Sequence, residues 1–583
     1  MPNIIYVLFR RLRYPLVVLV FVYAISILGF VLIPGQDDSG QPWRMDFFHA
    51  FYFVSFMGTT IGFGEIPYAF TDAQRMWAIV AMYATVIAWL YGIGGLLATM
   101  QDPAFRKLLS DSSFKRRVNH IRDDFFLICG YGDTGSLLVS ALAEEGFRSV
   151  VVDRDEDRIN ALELEDIALH PPGLCGDASR PNILKKAGIT HERCIGVVAL
   201  TGQDQVNLRI ALSAHLLKPE GEEGKVVPRP PLMTIARAET TGMEGNILSF
   251  GNNQVINPFT TFAGRLALAL HTPGMFILYE WLTGVPYEKL SDPVYPPRGQ
   301  WILCGYGRFG KAMYERLISE GVMTTIVEAN PELTQAPDDI VIGSGTEAAT
   351  LLEAGIHQAT GIVAGTDDDA NNLSILMTAR ELNPNLFMVA RQNRRRNDEL
   401  FKGANIDLVM QRGSVIAHKI FALIRTPLIG SFLWKAQQHD NDWANTLVSR
   451  IAGVVHDEVP HIWELAISYE ESPVLQSRLR DQDVLLSDLR RDPHWREGFL
   501  PCIPLLLKRG FDDILLPDES MLLEPGDKVL FCGEKRAHRL MEILMHNADV
   551  LRYVLTGNPY SSSFFGKWLR GRYRPADDSG KSS

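Results

Sequence analysis

Three short glycine-punctuated stretches carry the chemistry of this chain, and they are of two kinds. The first, Thr60-Ile61-Gly62-Phe63-Gly64-Glu65, alternates glycine with larger residues. Glycine reaches backbone angles closed to other residues, so alternate glycines let successive carbonyl oxygens point one way. A stack of such oxygens, with the Thr60 hydroxyl, replaces the water shell of a cation. The second kind occurs twice, as Gly130-Tyr131-Gly132-Asp133-Thr134-Gly135 and Gly305-Tyr306-Gly307-Arg308-Phe309-Gly310. Each G-x-G-x-x-G follows an apolar strand-like run and opens a helical pattern. A second apolar run then ends in a carboxylate, Asp153 in one case and Glu328 in the other. Glycines in that setting bring backbone close to a pyrophosphate at a helix N-terminus, and the carboxylate accepts ribose hydroxyls.

The elements around the paired motifs repeat as well. Ala187 to Ile189 matches Ala354 to Ile356, Val197 to Leu208 matches Ile362 to Leu373, and Met233 to Ala238 matches Phe387 to Gln392. The helix ending near Pro273 matches the one ending near Pro427. This is a tandem duplication of a strand–helix unit with a parallel sheet. The first copy carries an extra charged, proline-rich insert, Lys218 to Pro231, expected as an exposed loop. The copies differ at their candidate ligand positions. Arg154 follows Asp153, and Gly176-Asp177 follows the third strand, where the second copy has Gly343-Ser344. Either the copies bind nucleotide, the first better supplied than the second, or they are vestigial Rossmann folds whose glycines serve only helix–sheet packing.

The alternating-glycine stretch sits between two long uncharged runs, 14–33 and 76–100. At about 1.5 Å per residue each is long enough to cross a hydrocarbon core of roughly 30 Å. The first is too long for a signal-peptide core and ends at Pro34-Gly35 without a cleavage site. Arg10, Arg11 and Arg13 before the first run, and Arg106, Lys107, Lys115, Arg116 and Arg117 after the second, place both flanks in the cytoplasm. The apolar stretch from Asp46 to Thr60 is too short to span and reads as a re-entrant helix buried by protein. Across all 583 residues, 57 basic against 68 acidic side chains give a net charge of −11, which argues against a nucleic-acid binder. The six cysteines, at 129, 175, 194, 304, 502 and 532, show no metal or disulfide spacing and read as reduced buried thiols.

The stretch from Thr60 to Glu65 resembles a potassium-channel selectivity filter, with Phe63 in place of the usual tyrosine and Glu65 in place of aspartate. A pore followed by two such units resembles the RCK (KTN-type) family of ligand-gated potassium channels. The resemblance implies an α-helical membrane pore domain, tandem α/β Rossmann-like domains and a small α+β C-terminal subdomain. Its expected boundaries are a pore domain at 1–100 with pore helix and filter at 46–65, a polar linker at 101–119, and a first Rossmann domain at 120–260. A helical crossover and linker follows at 261–298, a second Rossmann domain at 299–430, a C-terminal subdomain at 431–560 and a disordered tail at 561–583. It further implies a homotetramer in a lipid membrane, eight RCK domains in a cytoplasmic gating ring, potassium in the filter, and NAD or ADP as regulatory ligand. Because Asp153 and Glu328 would repel a 2′-phosphate, NADP is disfavoured.

Secondary candidates keep two readings each. Gly92, Gly94 and Gly95 in the second span form a gating hinge or a close helix contact, and Leu96 or Leu97 beyond them would supply an apolar constriction. Asp367, Asp368 and Asp369 offer oxygen ligands to calcium, which gates some channels of the family, or cap the next helix. Two rival functions lose ground. A membrane-anchored NAD-dependent oxidoreductase would need a catalytic domain that the sequence does not offer. A regulatory RCK subunit of a transporter would not need its own pore loop.

Overall fold

The computed structural model describes residues 4–217, 232–251, 253–284, 294–455 and 458–557. The insert at 218–231 and the tail at 561–583 lie outside them. The chain divides into two compact units, Met1–His120 and Ile121–Ser583.

In the first unit an outer helix, Ile4–Leu32, packs along an inner helix, Asp72–Gln101. Leu12–Leu32 and Asp72–Gln101 are both long and apolar enough to cross a membrane. Lipid gives apolar helices little reason to associate, so close contacts and interhelical hydrogen bonds must hold them. Both are present. A Cβ on Gly29 would lie 2.0 Å from the Trp77 ring. The Trp77 indole donates to the Ser26 carbonyl at 3.0 Å, and Trp89 donates to the Tyr23 hydroxyl at 2.9 Å. The inner helix opens on a capping box between Thr71 and Gln74. A short helix, Phe47–Gly58, packs against both long ones, with Phe30, Ala50, Val54 and Ala81 in the shared core. The segment expected as a polar linker forms a helix, Pro103–Asn119. Asp102 caps it and Pro103 occupies its first turn, where the missing N–H is no loss.

The second unit holds two six-stranded sheets. The first runs, edge to edge, Gly173–Cys175, Arg148–Asp153, Phe125–Cys129, Cys194–Ala199, Met233–Arg237 and Asn253–Ile256. The second runs Val341–Ile342, Met323–Glu328, Gln300–Cys304, Gly361–Ala364, Phe387–Gln392 and Leu408–Gln411. Every pairing is parallel, in the order 3-2-1-4-5-6 of a doubly wound sheet. The central strands are apolar throughout because helices cover both faces.

The helix after each sixth strand leaves its own copy. Pro258–His271 follows the first sheet but packs on Arg308–Ser319 of the second copy, while Arg412–Arg425 follows the second sheet and packs on Asp133–Glu144 of the first. Phe259, Phe262 and Leu266 thereby join the second core, and Ile416, Ile420 and Phe421 the first. The two copies share their cores and form one body. Beyond them lies a four-stranded antiparallel sheet, ordered His461–Ala466, Lys528–Gly533, Cys502–Arg509, Asp512–Leu515. Helices Lys535–His546 and Ala548–Thr556 close its core. All six cysteines are free thiols, five of them buried.

Candidate functional site

Asp46 caps the short pore-loop helix, its carboxylate accepting from the His49 N–H at 2.8 Å. At the far end the N–H groups of Ile61 and Gly62 return to the Phe56 carbonyl at 3.1 and 3.3 Å, which starts the strand beyond at a fixed point. From there positive φ falls on alternate residues: Thr60 at 61°, Gly62 at 67° and Gly64 at 73°. Positive φ on alternate residues is the backbone pattern the carbonyl-lined reading of this stretch requires. Thr60 is β-branched, so its positive φ is a strained conformation, of the kind that persists where the surroundings impose it. Phe63 lies edge-on to Phe56, ring centroids 6.5 Å apart. A hydroxyl still reaches the end of the stretch, since Tyr52 on the helix donates to Glu65 at 3.0 Å. In the inner helix a Cβ on Gly92 or Gly94 would meet nothing within 4 Å, whereas one on Gly95 would lie 3.0 Å from Pro15 of the outer helix. Gly95 therefore serves helix packing. Leu96 and Leu97 are both exposed.

The two G-x-G-x-x-G loops are built alike. Gly130 and Gly305 take φ of 110° and 94°. A Cβ on Gly135 or Gly310 would lie 2.1 or 2.0 Å from the carbonyl oxygen of the first glycine. These third glycines are demanded by strand–helix packing, ligand or no ligand. The carboxylates at the second strand ends also serve the loop. Asp153 accepts from the Tyr131 N–H at 2.6 Å and the Asp155 N–H at 2.9 Å; Glu328 accepts from Tyr306 at 2.7 Å and Asn330 at 2.8 Å. Each carboxylate is buried and braces its loop from below. A carboxylate has roughly four acceptor positions, so room for a ribose hydroxyl remains.

Around the first loop opens a cleft of about 670 Å³, within the range of small-molecule sites. Gly130, Gly132, Asp133, Thr134, Asp153, Arg154 and Asp177 all line it, while Gly135 stays inside the packing. Hydrogen bonds from the Ser179 side chain and backbone, and the Arg180 charge, hold the Asp177 carboxyl below the usual range. Arg158, Arg209 and Arg237 also line the cleft, and sequence reasoning missed all three. Arg158 lies in the acidic run after Asp153, where it pairs with Asp153 and Asp155 at 3.5 Å each. Asn393 and Gly413 complete the wall from the second copy, and no local signal could have found them.

At the second loop Arg308 occupies the position of Asp133. Its guanidinium is spent on Glu239, buried, 2.7 Å away and supplied by the first copy; Glu239 also pairs with Arg237. Phe309 is fully buried in the core rather than open to a ligand. The positions of Arg154, Arg158 and Arg209 hold Ala329, Leu333 and Ser374. The three aspartates offered to calcium stand at the start of a helix. Asp368 caps helix Asp369–Leu382 through the Asn371 N–H. Asp369 is buried and accepts from the backbone of Asn393 and Arg394 and the amides of Asn393 and Asn397. With its lone pairs so occupied Asp369 is a poor ligand, and among the described residues no group of three acidic, histidine or cysteine side chains could hold a metal ion.

Two membrane-length helices with a short helix between them, followed in the chain by a tandem Rossmann body, define a class of channel-like proteins with regulatory domains. Comparison with known proteins agrees. Residues 17–102 match the ion channel family model, and residues 126–258 and 301–412 match the TrkA-N domain. The chain is 30% identical over 268 residues to probable potassium channel protein 2 of Methanocaldococcus jannaschii, covering 45% of this chain and 71% of that one. It is 28% identical over 218 residues to potassium channel protein 1 of the same organism, covering 37% of this chain and 59% of that one. A solved structure of the GsuK channel is 17% identical, with a TM-score of 0.47, over 92% of this chain and 98% of that one. The chain belongs to the family of potassium channels that carry TrkA-N (RCK) domains.

Proposed function

We propose that four copies of this chain form a potassium-selective pore whose opening is set by a nucleotide diphosphate, NAD or ADP, bound in the cytoplasmic Rossmann body. The observation that carries the pore is the alternation of positive φ at Thr60, Gly62 and Gly64 between two membrane-length helices. Around a fourfold axis the carbonyls of Thr60 to Phe63 form stacked rings that exchange for the hydration shell of potassium. Both membrane flanks and the Rossmann body lie in the cytoplasm, eight Rossmann domains make the ring, and Gly92 or Gly94, free of side-chain neighbours, is the hinge. The ligand belongs to the first copy. There the cleft supplies arginines for a pyrophosphate and Asp153 for a ribose, and its carboxylates oppose a 2′-phosphate. Binding shifts the pore only by its difference in affinity between ring shapes. The helix Pro103–Asn119 begins one residue after the inner helix, across the extended Asp102, and is the covalent route by which ligand binding reaches the pore.

Planar-bilayer recording of the purified chain, with NAD, ADP and calcium added one at a time, tests this. Potassium-over-sodium selectivity and an open probability that responds to one nucleotide but not to calcium are expected. Gly62→Asp should abolish current while the oligomer still assembles, because it sets a side chain and a charge from each subunit among the carbonyls. Potassium-selective current in that variant would remove the filter assignment.

A further inference from the structure

A second cleft, of about 720 Å³, opens where the two crossing helices Pro258–His271 and Arg412–Arg425 meet. It is separate from the nucleotide cleft and shares none of its lining residues. Arg265 and Lys419 stand at matching positions of the duplicated helices and both line it. Their surroundings are polar, with Thr260, Thr261, Tyr279 and Asn441 on the walls.

Three cations, Arg265, Arg316 and Lys419, line the cleft. Arg265 pairs with Glu280 at 2.5 Å through one terminal nitrogen, but its buried Nε has no hydrogen-bond partner among the described residues. Lys419 has no carboxylate within 4 Å among the described residues; its nearest polar neighbour is the Thr261 hydroxyl at 3.5 Å. Burial pushes the Lys419 ammonium down from its ordinary range, with the Glu244 charge opposing, and burial and Arg265 push His418 down to about 4. Two carboxylates line the cleft, and both are engaged. Glu320 faces His271 at 3.4 Å, and Asp440 caps the Trp443 N–H at 2.9 Å. A half-buried ammonium whose hydrogen-bond partner is a neutral hydroxyl gains from an anion that supplies the opposite charge. Thr261 and Arg265 are one helical turn apart, hence on one face, and Lys419 reaches that face from the other helix.

We propose that this cleft binds a small phosphorylated anion, held by Lys419, Arg265 and the Thr261 hydroxyl. Such a ligand would tie the two crossing helices together, and with them the two Rossmann copies, and so regulate the channel independently of the nucleotide cleft. The phosphate could belong to a nucleotide or to a smaller metabolite.

The test titrates inorganic pyrophosphate into the full-length chain in nanodiscs by calorimetry, on an Arg158→Leu, Arg209→Ser background that disables the nucleotide cleft. Binding is expected to survive there, to weaken at least about tenfold in Lys419→Met and severalfold in Thr261→Val, and to persist in Lys419→Arg. Should Lys419→Met fail to fold, the Thr261→Val and Lys419→Arg pair carries the comparison. Competition by ADP in this background would identify a nucleotide phosphate as the ligand, and lack of competition a smaller anion; either keeps the site. No pyrophosphate binding in the background, or equal affinity in Lys419→Met and Thr261→Val, would overturn the proposal.

Discussion

In the first Rossmann copy the glycine loop looks onto Arg158, Arg209 and Arg237, and the carboxylate beneath it ties down the loop backbone. In the second copy the loop is tied down in the same way by Glu328, yet Leu333 and Ser374 stand where two of those arginines would be. Its own Arg308 is drawn to Glu239. The glycines and the strand-end carboxylate are therefore requirements of the fold, satisfied in both copies. Arg158 and Arg209 would answer to a phosphate-bearing ligand and have no counterpart in the second copy, whereas Arg237 is matched there by Arg391. A G-x-G-x-x-G with its acidic partner measures the architecture; the charges around the mouth measure the binding.

Three experiments press on that contrast. The largest effect is expected from Arg158→Leu with Arg209→Ser, which gives the first cleft the side chains of the second. Hydrogen bonds to charged groups contribute roughly 1.5–3 kcal/mol each, so ADP affinity measured by calorimetry should fall at least about a hundredfold. A change below threefold would put the ligand elsewhere. Nucleotide binding that survives in this double variant but is lost on adding Glu328→Gln would erase the difference between the copies.

A smaller effect separates brace from ligand contact. Asp153→Asn and Glu328→Gln each replace a buried carboxylate that accepts two backbone N–H groups with an amide that can satisfy only one of them well. Both should lower the thermal midpoint by comparable amounts, a loss of about 1–3 kcal/mol. Only Asp153→Asn should also weaken ADP. Equal weakening in both variants would show that the second loop binds too.

The smallest effect lies at the ends of the crossing helices. His271 ends the first, exposed and beside Glu320. Arg425 ends the second, facing Glu145 at 3.6 Å and donating to His461 Nδ1 at 2.5 Å. The other ring nitrogen of His461 donates to His538 at 2.9 Å, and Trp463 stacks on His538. Burial first, then Arg425, push His538 down to about 4 and His461 lower still. Both rings are neutral when folded and gain protons near pH 6.5 when unfolded, so the unfolded state binds more protons between those values. Stability is complete above about pH 6.5 and is lost as pH falls toward 4. Differential scanning fluorimetry should show the midpoint dropping across that window, with a shallower drop in His538→Gln. A flat wild-type profile would mean the histidines are solvated.

The sequence by itself determined the parts whose geometry is local. Alternating glycines dictate a carbonyl-lined backbone, uncharged runs of membrane length dictate spans, and strand–glycine–helix spacing dictates the parallel sheets, because each follows from the angles and solubility of neighbouring residues. The Asp-Pro start of the helix at Pro103–Asn119 is a local signal of the same kind. The tertiary structure alone decided what faces each loop. The crossing helices carry Gly413 to the first cleft, and Asn393 of the second copy joins it there. Arg237 and Glu239, two residues apart on one strand end, serve different loops. Asp369 is consumed by backbone donors 24 and 25 residues further on. Such contacts depend on how finished elements dock, and docking is set by complementary surfaces over the whole body, which periodicity and motif spacing along the chain do not encode.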